Sequence, residues 1–446
     1  MMMNRYWLSL HSALFTTVFA LILFFASTSS AKAMLVYEDV DSSMSPEQVI
    51  SESGTLFTPL ESSRIGFSDS VWWLKIRNND AQRYLQYLDV STTKVDLYYL
   101  DSGDLKVLRN GYSVPVSKRD VSTIPLIFDL SNIDSRWLYL RVESTFTIHL
   151  EVDQLDELQY QDALMKYSGL VGLVIGALLL LSLYNTMLWI NIRDRMYGYY
   201  LLYSFGSLLY ISAKLGLFTF IEALSHLSMY IYYLGGVAAY TGGFLLMKEG
   251  FASLRSRVIE RCVNVGVLIP TATMALGFTV SDSFGFELYA QYGPGFVVTA
   301  LLVTILVVAW RAGHPYARPF ALGWAIWIVG TLFYLGYLHA ALGIEAKYAL
   351  VIASLLEGII FSIVLSVRQK QVEKDLIESR LRSSQTEAML EASKRHEGEL
   401  QVLIDELQLR RDKQAQIFSI IGHELRTPLS SMKMMEDAMG LRNIGE

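Results

Sequence analysis

Residues 168–190 read SGLVGLVIGALLLLSLYNTMLWI. This run is uncharged, and its length is near the roughly 20 residues that an α-helix needs to cross a bilayer. The whole chain of 446 residues is 52% hydrophobic and 18% charged, which is too apolar for a soluble protein of this size. Six similar runs follow, at about 197–216, 228–247, 261–280, 292–310, 319–340 and 348–367. The sequence therefore predicts a multidomain membrane protein with a seven-helix transmembrane bundle over 168–367.

Positive charges in the loops predict how these helices are oriented. Alternate loops are basic, whereas the loops between them carry little positive charge, with Lys214 and Lys347 at their edges. Because basic loops stay in the cytoplasm, we expect residues 34–167 outside the membrane and the C-terminal region inside. The basic sites follow the first, third, fifth and seventh runs: Arg193 and Arg195; Lys248, Arg255, Arg257 and Arg261; Arg311 and Arg318; Arg368 and Lys370.

The N-terminus has the features of an export signal. Arg5 supplies a positive charge, an apolar segment runs from Leu14 to Ala26, and Ala31-Lys32-Ala33 places small residues where a signal peptidase reads them. These features predict a signal peptide over residues 1–33 with cleavage after Ala33. The alternative is an uncleaved signal anchor, and in both cases the following segment is exported.

Residues 34–160 show the alternation and spacing of an all-β domain. Short strands separated by turn residues, at intervals near ten residues, are typical of an antiparallel sandwich. Its eight strand aromatics either fill the core or line a small-ligand site: Trp72, Trp73, Tyr84, Tyr87, Tyr98, Tyr99, Trp137 and Tyr139. We predict strands at 71–77, 83–90, 95–100, 124–129, 137–142 and 147–152.

Several kinds of site are not indicated. Cys262 is the single cysteine, so an intrachain disulfide is impossible. His149 stands alone in the exported segment, and no cluster of ligands predicts a metal ion. The net charge of −6 is spread along the chain without a basic, aromatic block, so no nucleic-acid partner is expected.

Glu357 is the one carboxylate near the middle of a predicted span. A charged group at this depth is costly, so Glu357 is expected to face the interior of the bundle. Two interpretations stay open: a polar contact that couples a signal between helices, or an interhelical hydrogen bond that fixes their packing. A retinal pigment would need a lysine in the last run, and residues 348–367 contain none.

After Val367 the sequence becomes strongly charged, and Gly and Pro are rare in the residues that follow. Apolar residues recur there at spacings of three, four and seven, which favours a parallel coiled coil over 368–409. Polar residues at several seam positions weaken this coiled coil, which could let it change register as a signal passes. The apolar positions are Val372, Leu376, Leu381, Leu390, Leu400, Ile404 and Leu407.

A chemically distinctive stretch, IFSIIGHELRTPL, occupies residues 417–429. An imidazole such as that of His423 is a nucleophile near neutral pH, and the adjacent Glu424 can hold the ring and accept its proton. The order His-Glu-Leu-Arg-Thr-Pro-Leu resembles the phospho-accepting segment of sensor histidine kinases. The resemblance implies that His423 carries the phosphoryl group, that Glu424 is the acid/base partner, and that Thr427 positions water for removing phosphate from the partner regulator.

The same resemblance implies a homodimer that passes phosphate to the aspartate of a response regulator. Residues 410–446 would form part of its helical hairpin, with a buried side made of Ile417, Ile420, Ile421, Leu425, Leu429 and Met432. ATP is expected as the phosphate donor, bound by a domain that this chain lacks, so the chain alone would be inactive as a histidine protein kinase. We expect either a fragment of a full kinase or a shortened protein. The second would be a non-catalytic receptor that dimerises with an intact kinase.

A second resemblance covers about residues 40–370. Gly172 and Gly176, then Leu183-Tyr184-Asn185, Arg193-Asp194-Arg195 and the tyrosines of 199–203 are similar to the start of the bacterial seven-transmembrane receptors with diverse intracellular signalling modules. The end of the last run, residues 356–368, is similar too. This resemblance implies a jelly-roll-like exported domain that binds a small ligand such as a carbohydrate, and a place in the bacterial cytoplasmic membrane.

Overall fold

The computed structural model describes residues 34–66, 68–79, 81–277, 293–334 and 348–440. The chain divides into two compact units, Met1–Ser366 and Val367–Glu446. The predicted signal peptide and Lys347 lie outside the described residues.

The segment predicted to be exported, which we call the exported domain, contains eleven described strands. Six of them form an antiparallel sheet in the order β2-β1-β4-β9-β6-β7, and β11-β5-β8 and β10-β3 form two smaller sheets. The strands are β1 Leu35–Asp39, β2 Thr58–Pro59, β3 Arg64–Gly66, β4 Val71–Arg77, β5 Tyr84–Tyr87, β6 Lys94–Asp101, β7 Asp104–Asn110, β8 Leu126–Asp129, β9 Trp137–Glu143, β10 Ile148–His149 and β11 Val152–Leu155.

The six-stranded sheet buries side chains on both faces. On β4, Leu74 and Ile76 enter the larger core, which also includes Leu85 and Phe128 from the three-stranded sheet. Trp73 points the other way, because successive strand residues alternate between faces. It packs with Val49 of the short helix α1, Pro46–Ser51. The prediction of a β-sheet domain is confirmed.

The strand predictions need correction in three respects. The strand predicted at 83–90 is shorter, since Asp89 begins a turn in which its carboxylate accepts hydrogen bonds from Ser91. The strand predicted at 147–152 is two strands, β10 and β11, and they belong to different sheets. The prediction also missed four strands, β1, β2, β3 and β7; β7 is largely exposed at the edge of its sheet, where apolar alternation is weak.

Seven helices of at least 18 residues follow in the described part of the chain. They coincide with the seven apolar runs, although several extend beyond them. The helices are α2 Glu157–Ile192, α3 Arg195–Lys214, α5 Ser228–Gly250, α6 Arg257–Gly277, α7 Gly293–Arg311, α8 Ala317–Tyr334 and α9 Ala349–Gly440, and the short α4 spans Glu222–Ser225. Among the residues described, three are long and apolar enough to cross a membrane by length and composition: Glu157–Ile192, Arg257–Leu276 and Ala349–Met439.

The first long helix begins eleven residues before its apolar run because of its cap. The Asp156 carboxylate accepts from the backbone N–H of Gln159, and the Gln159 side chain accepts from the N–H of Asp156. Such a reciprocal box satisfies donors that a helix start leaves unpaired. The first turns then pack on the exported domain, where Tyr160 stacks on Tyr84 with ring centroids 4.1 Å apart.

Glycines allow α3 and α5 to pack at backbone distance. A Cβ at Gly242 would lie 2.3 Å from the backbone nitrogen of Tyr203, and one at Gly206 would lie 2.4 Å from that of Ala239. Helices in membranes associate through such small residues, because lipid offers no hydrophobic driving force between them. This contact fixes α3, whose C-terminal end faces the exported domain.

Candidate functional site

The exported domain presents an aromatic cluster around one ammonium group. The Nζ atom of Lys75 lies 4.8 Å from the ring centroid of Trp137 and 5.8 Å from that of Phe57. It also donates a hydrogen bond of 3.1 Å to the carbonyl of Ser53, whose hydroxyl accepts a hydrogen bond from Tyr139. Partly exposed aromatic rings beside polar groups suit a small polar ligand. The face of a ring binds the apolar C–H surface of the ligand, and the polar groups orient the ligand.

Burial separates the eight strand aromatics into two groups. Trp73, Tyr84, Tyr87 and Tyr139 are buried, as core positions are expected to be. The other four are partly buried and keep some accessible surface: Trp72, Tyr98, Tyr99 and Trp137.

A second polar cluster lies where the exported domain meets the helices. Lys214, the last residue of α3, is 9% exposed, and its Nζ atom donates a hydrogen bond to the Tyr334 hydroxyl of α8. The same ammonium lies 5.6 Å from the ring centroid of Phe146 in the exported domain. The Thr147 hydroxyl is 3.4 Å from the Tyr334 hydroxyl. These four residues form what we call the lysine seat.

Two ionisable groups of the exported domain face the lysine seat. Burial disfavours ionisation of Asp89, but the positive charges of His149 and Lys214 and the hydrogen bonds from Ser91 hold the pKa of its carboxyl below the ordinary value. Burial also lowers the pKa of His149; the charges of Asp89 and Glu151 oppose this shift, and those of Arg64 and Lys214 add to it. The seat is therefore electrostatically coupled to both groups.

The loop between β7 and β8 makes further contacts at this junction. The buried Arg119 guanidinium donates to the carbonyls of Gly111, Val114, Thr123 and Ile124 and so shapes the loop; burial lowers its pKa to about 10. From this loop, Tyr112 accepts a hydrogen bond of 2.7 Å from Ser228 of α5. At the exposed rim, Lys118 pairs with Glu222 at 2.7 Å.

Glu357 lies inside the helical bundle, as predicted, with 1% of its surface exposed. Its carboxylate acts electrostatically on the phenols of Tyr200, Tyr203 and Tyr240. Its neighbour Gly358 accepts a hydrogen bond of 2.8 Å from Tyr200. The Oε1 atom has no hydrogen-bond partner among the residues described. Both earlier interpretations, a coupling contact and a packing contact, remain compatible with this position.

His423 lies on α9 and is exposed, as are Glu424 and Thr427. The Thr427 hydroxyl donates a hydrogen bond of 3.3 Å to the His423 carbonyl, one turn earlier. An exposed imidazole is open to a phosphate donor and to a partner protein. The apolar residues predicted to be buried here are exposed in the single chain, between 45% for Ile421 and 67% for Met432.

The glycines of α5 do not fit an ATP phosphate site. Gly235, Gly236, Gly242 and Gly243 lie within a helix, and Gly235 and Gly242 pack against backbone atoms of Tyr210 and Tyr203. A phosphate-binding loop needs free backbone N–H groups pointing at the anion, which a helix interior does not offer. Within the described ranges, no group of three His, Cys, Asp or Glu side chains is arranged to hold a metal ion.

The sequence reasoning missed the lysine seat. It placed Lys214 at a loop edge and treated His149 as isolated, because the partners are distant in sequence. A lysine at the edge of a loop that is predicted to carry little positive charge was the one available signal.

Comparison with known proteins identifies two regions. Residues 31–154 match the family described as 7TMR-DISM extracellular 2, and residues 167–368 match the family described as 7TM diverse intracellular signalling. No curated protein matches the chain.

Proposed function

We infer that the chain, which carries the extracellular and seven-transmembrane domains of receptors with diverse intracellular signalling, is the sensing part of a histidine kinase. In this proposal the exported domain detects a small ligand, and the helices pass the signal to His423. The phosphoryl group of His423 then moves to an aspartate of a response regulator. The comparisons support an intracellular-signalling receptor, and the kinase assignment rests on residues 417–429.

One observation carries the proposal: His423, within the stretch 417–429 that resembles a phospho-acceptor, is exposed on α9 together with Glu424. The chemistry follows from the residue types. The imidazole of His423 forms a nitrogen–phosphorus bond as the bond between the γ-phosphorus and the ADP oxygen breaks, and Glu424 takes the ring proton.

The topology belongs to the same proposal. All seven long helices cross the cytoplasmic membrane of a bacterium, with the exported domain outside and His423 inside. Reporter fusions at Asn79 and at Gly398 test this arrangement, since the proposal requires the two reporters to lie in different compartments. A shared compartment would contradict it.

Phosphorylation is tested with γ-labelled ATP in the native membranes, where the ATP-binding domain that the proposal requires is also present. We expect acid-labile phosphate on the wild-type protein and a complete loss of this label in the His423→Gln variant. His396→Gln is the matched control, because His396 is also an exposed histidine of α9, and it should keep the label. Acid-labile phosphate that persists in His423→Gln would refute the assignment.

A non-catalytic receptor is the second candidate, and the exposed apolar side chains of α9 favour it as much as a kinase. Leu400, Ile404 and Leu407 are each 45–57% exposed, which is typical of a surface that pairs with another helix. In this candidate the partner is an intact kinase. Absence of acid-labile phosphate from the wild-type protein, together with co-purification of a labelled kinase, would select it.

A further inference from the structure

The lysine seat joins two parts of the molecule through one buried charge. Phe146 and Thr147 come from the exported domain, whereas Lys214 and Tyr334 come from α3 and α8. Asp89 adds a negative charge from the exported side. A buried ammonium depends strongly on its partners, because it cannot recover hydration when they leave.

The exported half of the seat is held by a small strand pair. Phe146 and Thr147 directly precede β10, a two-residue strand that pairs with β3 as a separate two-stranded sheet. The register of this pair shifts between Ile148 and His149. Short, irregular pairing gives few backbone hydrogen bonds to hold the segment, so its position depends on the burial of Phe146 and Ile148, which are 3% and 0% exposed.

The membrane half of the seat is rigid by comparison. Lys214 ends α3, and α3 packs on α5 at backbone distance through Gly206 and Gly242. Tyr210, one turn before Lys214, stacks on Tyr232 with ring centroids 4.6 Å apart, and the two hydroxyls are 3.1 Å apart. A displacement of Lys214 is therefore shared by α3 and α5 together.

We propose that Lys214 is the positioning residue through which the exported domain holds α3 and α5 in one arrangement, and that withdrawal of Phe146 and Thr147 from its ammonium releases them. This release is the step by which a signal from the exported domain reaches the helices. The inference therefore rests on the receptor function proposed above. In this inference the buried contact of Lys214 controls the arrangement of the helices, and the exposed ion pair of Lys118 and Glu222 does not. Exposed ion pairs contribute little, because solvent screens them.

The test measures the distance between the exported domain and the helices in the full chain in lipid nanodiscs. Spin labels replace Asp104 in the β6–β7 hairpin and His226 between α4 and α5, both exposed, in a Cys262→Ser background. We expect one narrow distance distribution for the parent protein. Lys214→Met should broaden or shift it, whereas Lys118→Met, the matched control, should leave it unchanged.

A second, more conservative variant keeps the inference testable if Lys214→Met does not fold. Thr147→Val removes the hydroxyl that faces Tyr334 while keeping the shape of the side chain, and it should change the distribution in the same direction by a smaller amount. Identical distributions for the parent, Lys214→Met and Thr147→Val would overturn the inference. Because this measurement needs no phosphate, an absence of acid-labile phosphate from the wild-type protein would count against the proposed kinase and leave the result at the junction standing.

Discussion

Asn185 of α2 donates a hydrogen bond of 3.0 Å to the Ser362 hydroxyl of α9, and both side chains are buried. This bond joins the first and last helices of the bundle one turn away from Glu357. Within a membrane bundle such bonds contribute about 0.6–2 kcal/mol. The bond ties α9, which carries His423, to the helix that leaves the exported domain.

Replacing this amide should therefore weaken the bundle. We expect Asn185→Ala to lower the free energy of unfolding by about 1–2 kcal/mol, since it also leaves the buried Ser362 hydroxyl without this donor. Unfolding in a denaturing detergent, followed by tryptophan fluorescence, measures the change. Asn191→Ala is the control, because the exposed Asn191 bonds only to the Met187 carbonyl of its own helix in the described contacts. Equal losses for the two variants would contradict a role for the interhelical bond.

The backbone contact of α3 and α5 makes a steric prediction. In Gly242→Ala the new methyl group would meet the Tyr203 backbone nitrogen at 2.3 Å, and a backbone atom cannot swing aside as a side chain can. We expect a destabilisation of about 1–3 kcal/mol or more, seen as a lower melting temperature in detergent micelles.

Gly172→Ala is the matched control for this change. A Cβ at Gly172 would meet nothing within 4 Å, so the substitution should be neutral or slightly stabilising in a helix. A melting temperature for Gly242→Ala equal to that of Gly172→Ala would show that α3 and α5 are farther apart than described.

The junction should respond to pH through His149. Because burial lowers the pKa of His149, its neutral form is favoured in the folded protein. The contribution of neutral His149 to the free energy of unfolding is fully present above the ordinary histidine pKa of 6.5. It is lost as the pH falls through the lower pKa that His149 has in the folded protein. Protonation also brings a positive charge towards Lys214 and Arg64, which Asp89 and Glu151 offset in part. Acidification below about 6.5 should therefore loosen the lysine seat.

The measurement is the distance between the same spin labels as a function of pH. Asp89 does not complicate this window, because its pKa lies below the ordinary value of 3.8 and its contribution is lost only under stronger acid. His149→Gln should remove the change between pH 7 and pH 5, whereas Lys118→Met should retain it. A pH response that survives in His149→Gln would assign the effect to another group.

Local patterns in the sequence were sufficient for the helices but not for the junction. The apolar runs located the seven long helices because each run is a property of consecutive residues. The start of α2 at Glu157 was missed because the cap at Asp156 and the contact with Tyr84 extend the helix beyond its apolar part. Patterns of consecutive residues could not predict the lysine seat, since Phe146, Lys214 and Tyr334 meet only after the exported domain and the helices fold together.

Thr427 offers the sharpest test of the phospho-accepting turn. In the proposed kinase it would orient the water that removes phosphate from the response regulator, and its hydroxyl donates a hydrogen bond to the carbonyl of His423. We expect Thr427→Ala to keep acid-labile phosphate on His423 but to slow the loss of phosphate from the regulator by about tenfold or more, because a missing polar contact to water costs about 1.4 kcal/mol or more in the transition state. Ser431→Ala, one turn further along the same exposed face, bonds likewise to a helix carbonyl and should leave both rates unchanged. If Thr427→Ala instead abolished the label on His423, the hydroxyl would be needed to form the acceptor turn itself, and its assignment to water would be wrong.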